Sequence, residues 1–291
     1  MNVRPNAAPE TAATAPGQPP APGRGRWVVR DGVSYPLGTD PLLDIPPQDW
    51  GEPALIAKFE QRLRRIRRWK RPLDTRRRRL HAWANMLVVD HGLFRLAYGN
   101  MHRVTPRLWR AAQPLPHHIR RFARAGGRTV VSLRGGQQFG SLPLEREACA
   151  HAGLALHNLI LRSRALPSRE DLLDLLDVLP QLETPVLFHC KSGADRAGFM
   201  AALWLVAMED RPVGEAMAQL SLRYGHLRRA KTGVLDAFFA AYAADTSDTV
   251  GGAGSGFRHW VAERYDPAAI EAAFRPAGVG ALIADGILRR E

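Results

Sequence analysis

The sequence predicts an α/β protein: a mostly parallel central sheet flanked by helices, preceded by a basic helical extension. Short runs of β-branched and aromatic residues alternate with helical runs over residues 101–245, a pattern typical of parallel sheets. The 291 residues are 45% hydrophobic, which is enough to bury one sizeable core or two small ones. Most of the net positive charge lies before residue 80, outside the alternating region.

Two different segments precede the alternating region. Residues 1–25 are rich in Ala and Pro and contain almost no large apolar side chains, so we expect a disordered tail. Residues 52–100 are predicted to form a basic amphipathic helical extension. Its first helix runs from Glu52 to Lys70, where apolar residues recur every three or four positions, and its second runs from Arg76 to Leu96.

The positive charge is concentrated in the extension. Twelve basic and two acidic residues lie between Lys58 and Arg79, which gives +10 of the formal net charge of +13. A solvated helix face, a nucleic-acid patch or an anchor to anionic lipid would each explain such a cluster. Nucleic acid is disfavoured because no recognised binding motif accompanies the charge. We favour an anionic membrane surface as the partner of residues 58–79, because aromatic residues suited to the lipid interface are interleaved with the cations and follow them. These are Trp69, Trp83, Phe94 and Tyr98.

Cysteine content and hydropathy predict the cellular compartment of the protein. Two cysteines are too few for a disulfide framework, so we expect a reducing compartment. We find neither a signal-peptide pattern nor a run of 18 apolar residues. The expected location is the cytoplasm, with peripheral attachment at the inner face of the cell membrane.

The alternating region is predicted to form one domain, residues 101–245. Its strands are predicted at 108–112, 128–133, 154–161 and 185–189. Its helices are predicted at 115–125, 144–152, 168–179, 197–208, 213–223 and 231–243. Ser168 is a suitable N-cap because its hydroxyl can accept a hydrogen bond from a backbone N–H of the first turn. Residues 246–291 are predicted to be a Gly-rich linker and a small helical tail.

The segment that carries chemistry joins the last predicted strand to a helix: His189-Cys190-Lys191-Ser192-Gly193-Ala194-Asp195-Arg196. A strand, a tight loop and a helix N-terminus point several backbone N–H groups into one concavity, where the helix dipole favours an anion. Phosphate fits this cradle, and Arg196 can add a bidentate contact. The same field favours the thiolate of Cys190, a nucleophile placed beneath the bound phosphate. We therefore predict a phosphate-binding loop over Lys191, Ser192, Gly193, Ala194, Asp195 and Arg196, with no metal and no cofactor.

This segment resembles the phosphate-binding loop of the cysteine-dependent protein tyrosine phosphatase superfamily, whose motif is H-C-x5-R followed by Ser or Thr. The upstream run Leu108–Pro114 and the strand at Thr129 are similar to the opening of atypical dual-specificity phosphatases. The resemblance covers about residues 101–245 and implies their fold. It also implies hydrolysis of phosphomonoesters through a phosphocysteine intermediate, with a phosphotyrosine or another phosphoprotein as substrate, and a loop-supporting role for His189.

The sequence departs from the family at two positions. Ala197 stands where the family has a hydroxyl that helps the thiolate leave, so hydrolysis of the intermediate is expected to be slow or to be aided by water or Ser192. The usual general acid is an Asp upstream of the Cys, and residues 161–167 contain no carboxylate. Asp195 is the favoured substitute, as the resemblance to myotubularins and some bacterial phosphatases implies. The alternative is that Asp195 only pairs with a neighbouring cation and shapes the loop. Asp171 and Asp174 are the runners-up.

Several further residues are open to more than one interpretation. Arg134 follows a predicted strand at the edge where ligands bind in parallel sheets, so it is a candidate supporting residue. Cys149 fits a buried structural thiol better than a redox partner of Cys190. The Tyr224-Gly225-His226 run fits either a turn or a substrate-facing segment.

Two alternatives to a protein phosphatase stay open. One is a phosphatase of phospholipid or lipid-linked headgroups at the membrane surface. The other is a non-catalytic pseudophosphatase that binds phosphate or membrane. The sequence leaves the oligomeric state open.

Overall fold

A computed structural model describes residues 27–30, 33–36, 64–69, 71–135, 139–246 and 253–276. The predicted disordered tail and the first part of the predicted extension helix, residues 52–63, lie outside the described residues. No helix in the described part of the chain combines the length and apolarity that crossing a bilayer requires.

The described strands form one seven-stranded sheet in the order β1-β2-β6-β5-β7-β4-β3. They are β1 (Trp27–Arg30), β2 (Val33–Pro36), β3 (His102–Arg103), β4 (Leu108–Ala111), β5 (Thr129–Ser132), β6 (Ala155–Asn158) and β7 (Val186–His189). Pairing is parallel from β2 to β4, and the edge strands β1 and β3 are antiparallel to their neighbours. The prediction of a mostly parallel sheet is confirmed. The four predicted core strands correspond to β4, β5, β6 and β7.

The register of the central strands sets the position of the site. His189 at the end of β7 is opposite Ala111 of β4 and Ser132 of β5. The residues that follow these three strands therefore emerge at one edge of the sheet. This edge is the usual ligand-binding edge of a parallel sheet.

Helices cover the sheet. They are α1 (64–69), α2 (Arg76–Ala84), α3 (Gly92–Ala97), α4 (Pro116–Arg124), α5 (Ser141–His151), α6 (Arg169–Val178), α7 (Asp195–Glu209), α8 (Val213–Ala216), α9 (Val234–Thr246), α10 (Ala253–Glu263) and α11 (Pro267–Ala273). Ser168 is the N-cap of α6, where its side chain accepts a hydrogen bond from the Asp171 N–H. The helix predicted at 213–223 is instead short, because α8 gives way to 3-10 turns at Met217–Gln219 and Leu222–Tyr224.

The helix predicted from Arg76 to Leu96 is interrupted. A π-helical segment, Asn85–Val89, follows α2, and His91 adopts a left-handed conformation with φ 55° before α3 begins. Asp90 lies at this break, where its side chain is fully buried and paired with arginines. The apolar periodicity of the sequence does not reveal this inward-facing carboxylate, which is why one continuous helix was expected.

The extension and the C-terminal helices both pack onto the central domain. The extension contributes Trp69, Ala82 and Met86 to a buried cluster with Leu115 and Leu144. The C-terminal helices contribute large buried side chains to the main core, alongside those of α7 and α9. These are Phe257, Trp260, Val261 and Tyr265. The residues predicted as a small helical tail thus belong in part to the main core.

Candidate active site

The loop between β7 and α7 contains the whole C-x5-R segment. Gly193 has φ +74°, and a Cβ atom there would lie 2.5 Å from the backbone nitrogen of Ala112. Only glycine fits this conformation and this close approach to the end of β4. The tight loop therefore requires the glycine that the sequence has at position 193. The backbone N–H of Gly193 donates to the Sγ of Cys190 at 3.3 Å.

Two side chains outside the loop bind its carbonyl groups. Arg110 Nη2 donates to the carbonyls of Gly193 at 2.6 Å and Ala194 at 3.1 Å. Asn100 Nδ2 donates to the carbonyl of Ser192 at 3.0 Å. In a trans peptide the N–H points opposite to the C=O. Holding these three carbonyls outward therefore turns the following N–H groups toward the opposite side of the loop, where the Gly193 N–H meets Cys190.

Arg110 is fully buried in the centre of this arrangement. Its Nη1 donates to the Gln219 carbonyl and side chain at 2.5 and 3.0 Å, and its guanidinium carbon lies 3.9 Å from the centroid of the Tyr224 ring. Burial lowers the pKa of Arg110 to about 10, so the side chain stays charged at neutral pH. No role for Arg110 was predicted from the sequence. The available signal was a charged residue flanked by apolar residues within a predicted strand.

Arg196 lies in the first turn of α7 and is nine-tenths buried, with 8% of its surface exposed. Its Nη1 donates to the carbonyls of Leu133 at 3.3 Å and Leu161 at 3.4 Å, which follow β5 and β6. These contacts hold the guanidinium against the segments that follow β5 and β6. The structure thus brings together the cysteine, the arginine and the intervening loop that the sequence predicts.

Asp195 belongs to a buried chain of polar side chains. His226 Nδ1 lies 2.7 Å from Asp195 Oδ1, and His226 Nε2 lies 2.5 Å from Asp236 Oδ2. Burial lowers the pKa of His226, but the hydrogen bonds to Asp195 and Asp236 outweigh it and raise the pKa above its ordinary value. His226 therefore joins the loop to α9. In the described part of the chain, Asp195 Oδ2 has no hydrogen-bond partner, so one carboxylate oxygen remains for another contact.

His189 and Arg134, the two predicted supporting residues, belong to one buried network. His189 Nε2 lies 2.5 Å from Glu145 Oε1, and Gln113 Nε2 donates to Glu145 Oε2 at 2.9 Å. Arg134 Nη1 donates to Gln113 Oε1 at 2.8 Å, which links the two predicted residues through Gln113 and Glu145. Sequence analysis missed both linking residues.

The network continues from Arg134 into the extension. Arg134 Nη2 pairs with Asp90 at 2.6 Å, and Arg95 Nη2 pairs with Asp90 at 2.9 Å. Burial alone would raise the pKa of Asp90, but the two guanidinium groups hold it below its ordinary value. Arg134 is thus placed to position the end of β5 rather than to reach solvent.

Residues 161–167, which contain no carboxylate, are held by the C-terminal helices. The Leu166 N–H donates to Glu271 Oε1 at 2.6 Å, and the Tyr265 hydroxyl donates to the Pro167 carbonyl at 2.7 Å. Asp171 and Asp174, the runners-up for a general acid, are exposed on α6.

The remaining predicted residues have distinct surroundings. Lys191 and Ser192 are half-buried at the start of the loop, and Ala197 is buried in the main core. Cys149 is buried in a second cluster with α4 and β6 side chains, and burial raises the pKa of its thiol well above the ordinary value. Cys149 therefore fits a structural role. The described residues contain no group of three or more His, Cys, Asp or Glu that could hold a metal ion.

Comparisons with known proteins cover the same part of the chain. Residues 79–232 match the model of a family described as "DSP-PTPase phosphatase fused to NAD+ Kinase". The match begins within the extension, before the predicted boundary at residue 101. The chain is 31% identical over 144 residues to the dual specificity protein phosphatase TpbA of Pseudomonas aeruginosa. That similarity covers 47% of this chain and 56% of the relative, so the chain spans little more than half the relative's length.

Solved structures show similarity at lower identity. The crystal structure of P. aeruginosa TpbA has a TM-score of 0.43 and 21% identity, covering 57% of this chain and 92% of that chain. The crystal structure of PTPMT1 has a TM-score of 0.37 and 18% identity, covering 51% of this chain and 99% of that chain.

Proposed function

Since the chain belongs to the family described as "DSP-PTPase phosphatase fused to NAD+ Kinase", we propose that it hydrolyses phosphomonoesters through a phosphocysteine intermediate. The observation that carries the proposal is the loop itself. Its carbonyls are bound from outside by Arg110 and Asn100, and its N–H groups are directed to the side where Cys190 lies. We propose phosphotyrosine and other phosphoproteins as the substrate class, in keeping with the similarity to a dual specificity protein phosphatase.

Binding would place the phosphate in the loop from Lys191 to Arg196. The backbone N–H groups and the N-terminus of α7 would bind its oxygens, and Arg196 would add a charged contact. The fully buried charge of Arg110 lies behind the loop and contributes to the same positive field. Because the loop is held by hydrogen bonds before substrate arrives, little reorganisation is needed when charge develops at phosphorus.

The reaction would then proceed in two steps. The Cys190 thiolate attacks phosphorus, the S–P bond forms, and the P–O bond to the leaving group breaks as Asp195 donates a proton to the departing oxygen. Water then attacks the phosphocysteine, Asp195 takes a proton from that water, and the S–P bond breaks to release phosphate and the thiolate. Ala197 offers no hydroxyl to the departing thiolate, so the second step relies on water or Ser192.

The general-acid role of Asp195 is supported by its surroundings. His226 fixes Oδ1 and leaves Oδ2 for the leaving group, and Asp236 fixes His226 from the other side. A general acid on the loop must lie within hydrogen-bond reach of the leaving oxygen. Asp195 directly precedes the phosphate-binding Arg196, whereas Asp171 and Asp174 are exposed on α6.

Replacing Asp195 with Asn is expected to lower kcat/KM for an alkyl phosphate by roughly 10²- to 10⁴-fold, because the poor leaving group needs a proton. For an aryl phosphate with a good leaving group, the loss should be much smaller. The measurement is kcat/KM over a series of leaving groups. Asp171→Asn is the matched control and should leave the series unchanged. Equal losses on all leaving groups for Asp195→Asn would remove the general-acid role.

A substrate panel tests the proposed function as a whole. The full chain, without added metal, should release phosphate from an aryl phosphate and a phosphotyrosine peptide faster than from an anionic phospholipid. Release from the phospholipid alone would support the lipid-phosphatase alternative. If no substrate is turned over while the protein binds inorganic phosphate, the non-catalytic alternative holds and the proposal fails.

A further inference from the structure

The extension exposes large apolar side chains instead of burying them. Among the described residues, six of the seven exposed large hydrophobic side chains lie between residues 80 and 98, and each is 52–70% exposed. They are Leu80, Val88, Val89, Leu93, Leu96 and Tyr98, and we refer to them as the exposed apolar face. Apolar exposure concentrated in one segment marks an interaction surface more often than scattered exposure does.

The exposed apolar face continues a row of arginines. Arg76, Leu80 and Val88 are spaced by four and eight residues, which places them along one side of the helical segment that starts at α2. Ala82 and Met86 on the other side are buried against the domain. One side of this segment therefore begins with cations and ends with exposed aliphatic side chains.

Packing of the extension does not use the exposed apolar face. The extension is held by its buried apolar cluster and by the ion pairs of Asp90 with Arg95 and Arg134. Leu93 and Leu96 are exposed on α3, whereas Arg95 of the same helix is buried. The domain therefore holds the extension in place and presents the apolar side chains outward.

The arginines beside the exposed apolar face are largely unneutralised. Arg78 pairs with Asp74 at 2.7 Å, and Arg79 pairs with Glu147 at 2.5 Å. Seven further exposed arginines have no carboxylate partner within the part of the chain that the structure describes. These are Arg64, Arg65, Arg67, Arg68, Arg71, Arg76 and Arg77. Such a group of charges favours an anionic partner.

We propose that the exposed apolar face and these arginines together form a docking surface for an anionic lipid bilayer. The aliphatic side chains and Tyr98 would enter the boundary between headgroups and acyl chains, and the guanidiniums would bind lipid phosphates. A nucleic acid would use the arginines but has no need of exposed Leu and Val side chains. A second copy of the chain would bring two clusters of like charge together. At its Tyr98 end this surface reaches Asn100, the residue that binds the Ser192 carbonyl of the Cys190 loop. Lipid docking itself requires no turnover, so the proposal does not rest on phosphatase activity.

Co-sedimentation of the full chain with vesicles tests the docking surface. The protein should pellet with vesicles of phosphatidylcholine mixed with phosphatidylglycerol, should not pellet with phosphatidylcholine alone, and should dissociate as salt rises. The double variant Leu80→Glu/Val88→Glu should bind about tenfold or more weakly, since carboxylates would enter an anionic interface. Leu222→Glu is the matched control, because Leu222 is 74% exposed outside the extension and should bind like wild type.

Charge reversal tests the arginines separately. Arg76→Glu/Arg77→Glu should also lose binding, whereas the same reversal at the exposed Arg120 and Arg124 of α4 should have a smaller effect. Unchanged melting temperatures show that the variants fold. Absence of wild-type binding to anionic vesicles at low salt overturns the proposal. The proposal is also overturned if Leu222→Glu loses as much vesicle binding as the double variant. It is likewise overturned if the protein is a dimer that Leu80→Glu/Val88→Glu separates into monomers while vesicle binding persists. Nucleic-acid binding that the Glu variants leave intact, without vesicle binding, also overturns it.

Discussion

Replacing Cys190 with Ser is expected to lower kcat for phosphate release by about 10⁴-fold or more, because a hydroxyl in place of the thiolate removes the nucleophile. The loop should still bind phosphate, since its N–H groups and Arg196 are unchanged. Phosphate affinity, measured by calorimetry, should therefore stay within a few fold of the wild-type value. Acid quenching of the wild type during turnover should yield a phosphorylated Cys190, which the variant cannot form.

Cys149→Ser provides the matched control for that experiment. Cys149 is buried in a cluster with α4 and β6 side chains, away from the loop carbonyls that Arg110 and Asn100 bind. The same thiol-to-hydroxyl change there should leave kcat near the wild-type value while lowering stability slightly. A Cys190→Ser protein that retains activity, or equal losses in both variants, would contradict the nucleophilic role.

Replacing Asp90 with Ala is expected to lower the free energy of unfolding by about 3–5 kcal/mol, because it leaves the buried guanidiniums of Arg95 and Arg134 without their counterion. Asp74→Ala is the matched control. Asp74 also pairs with an arginine of the extension, at 2.7 Å, but its side chain is 52% exposed. The exposed pair should cost about 0.5 kcal/mol or less. Denaturant unfolding of the three proteins measures both values, and similar small losses would show that the buried pair contributes little.

The stabilisation by Asp90 should also depend on pH. Its folded-state pKa is depressed below the ordinary value of 3.8, so the contribution is present above about pH 4 and is lost as pH falls through the folded-state pKa. The stabilities of wild type and Asp90→Ala should therefore converge in acid. A constant difference between them down to pH 2 would show that the charge of Asp90 is not the cause.

The sequence predicted those parts of the fold that depend on local pattern. The four core strands, the Ser168 cap and the Cys190 loop follow from apolar periodicity, capping chemistry and a glycine in a tight turn. The strands β1, β2 and β3, which lie at the two margins of the sheet, were not predicted, since such short strands show weak periodicity. The interruption at Asp90 was missed because its cause is an ion pair with Arg134, 44 residues further along the chain.

The residues of the candidate site were likewise predictable where they lie in one segment and not where tertiary packing brings them together. Cys190, Arg196 and Asp195 are adjacent in sequence, so their proximity could be predicted from one segment. Arg110, Asn100 and His226 approach the loop from separate strands and turns. Their roles depend on tertiary packing. The sequence offered only weak signals for them: the charge of Arg110 within a predicted strand, and the Tyr224-Gly225-His226 run.

The tethering of residues 161–167 to the C-terminal helices has a kinetic consequence. With Leu166 and Pro167 bound to Glu271 and Tyr265, this loop cannot swing toward the site without breaking hydrogen bonds to the tail. In the proposed mechanism the general acid, Asp195, lies on the Cys190 loop itself, so closure of a lid would not be needed to deliver it. Turnover would then include no lid-closing step, and a higher solvent viscosity should not slow turnover through such a step.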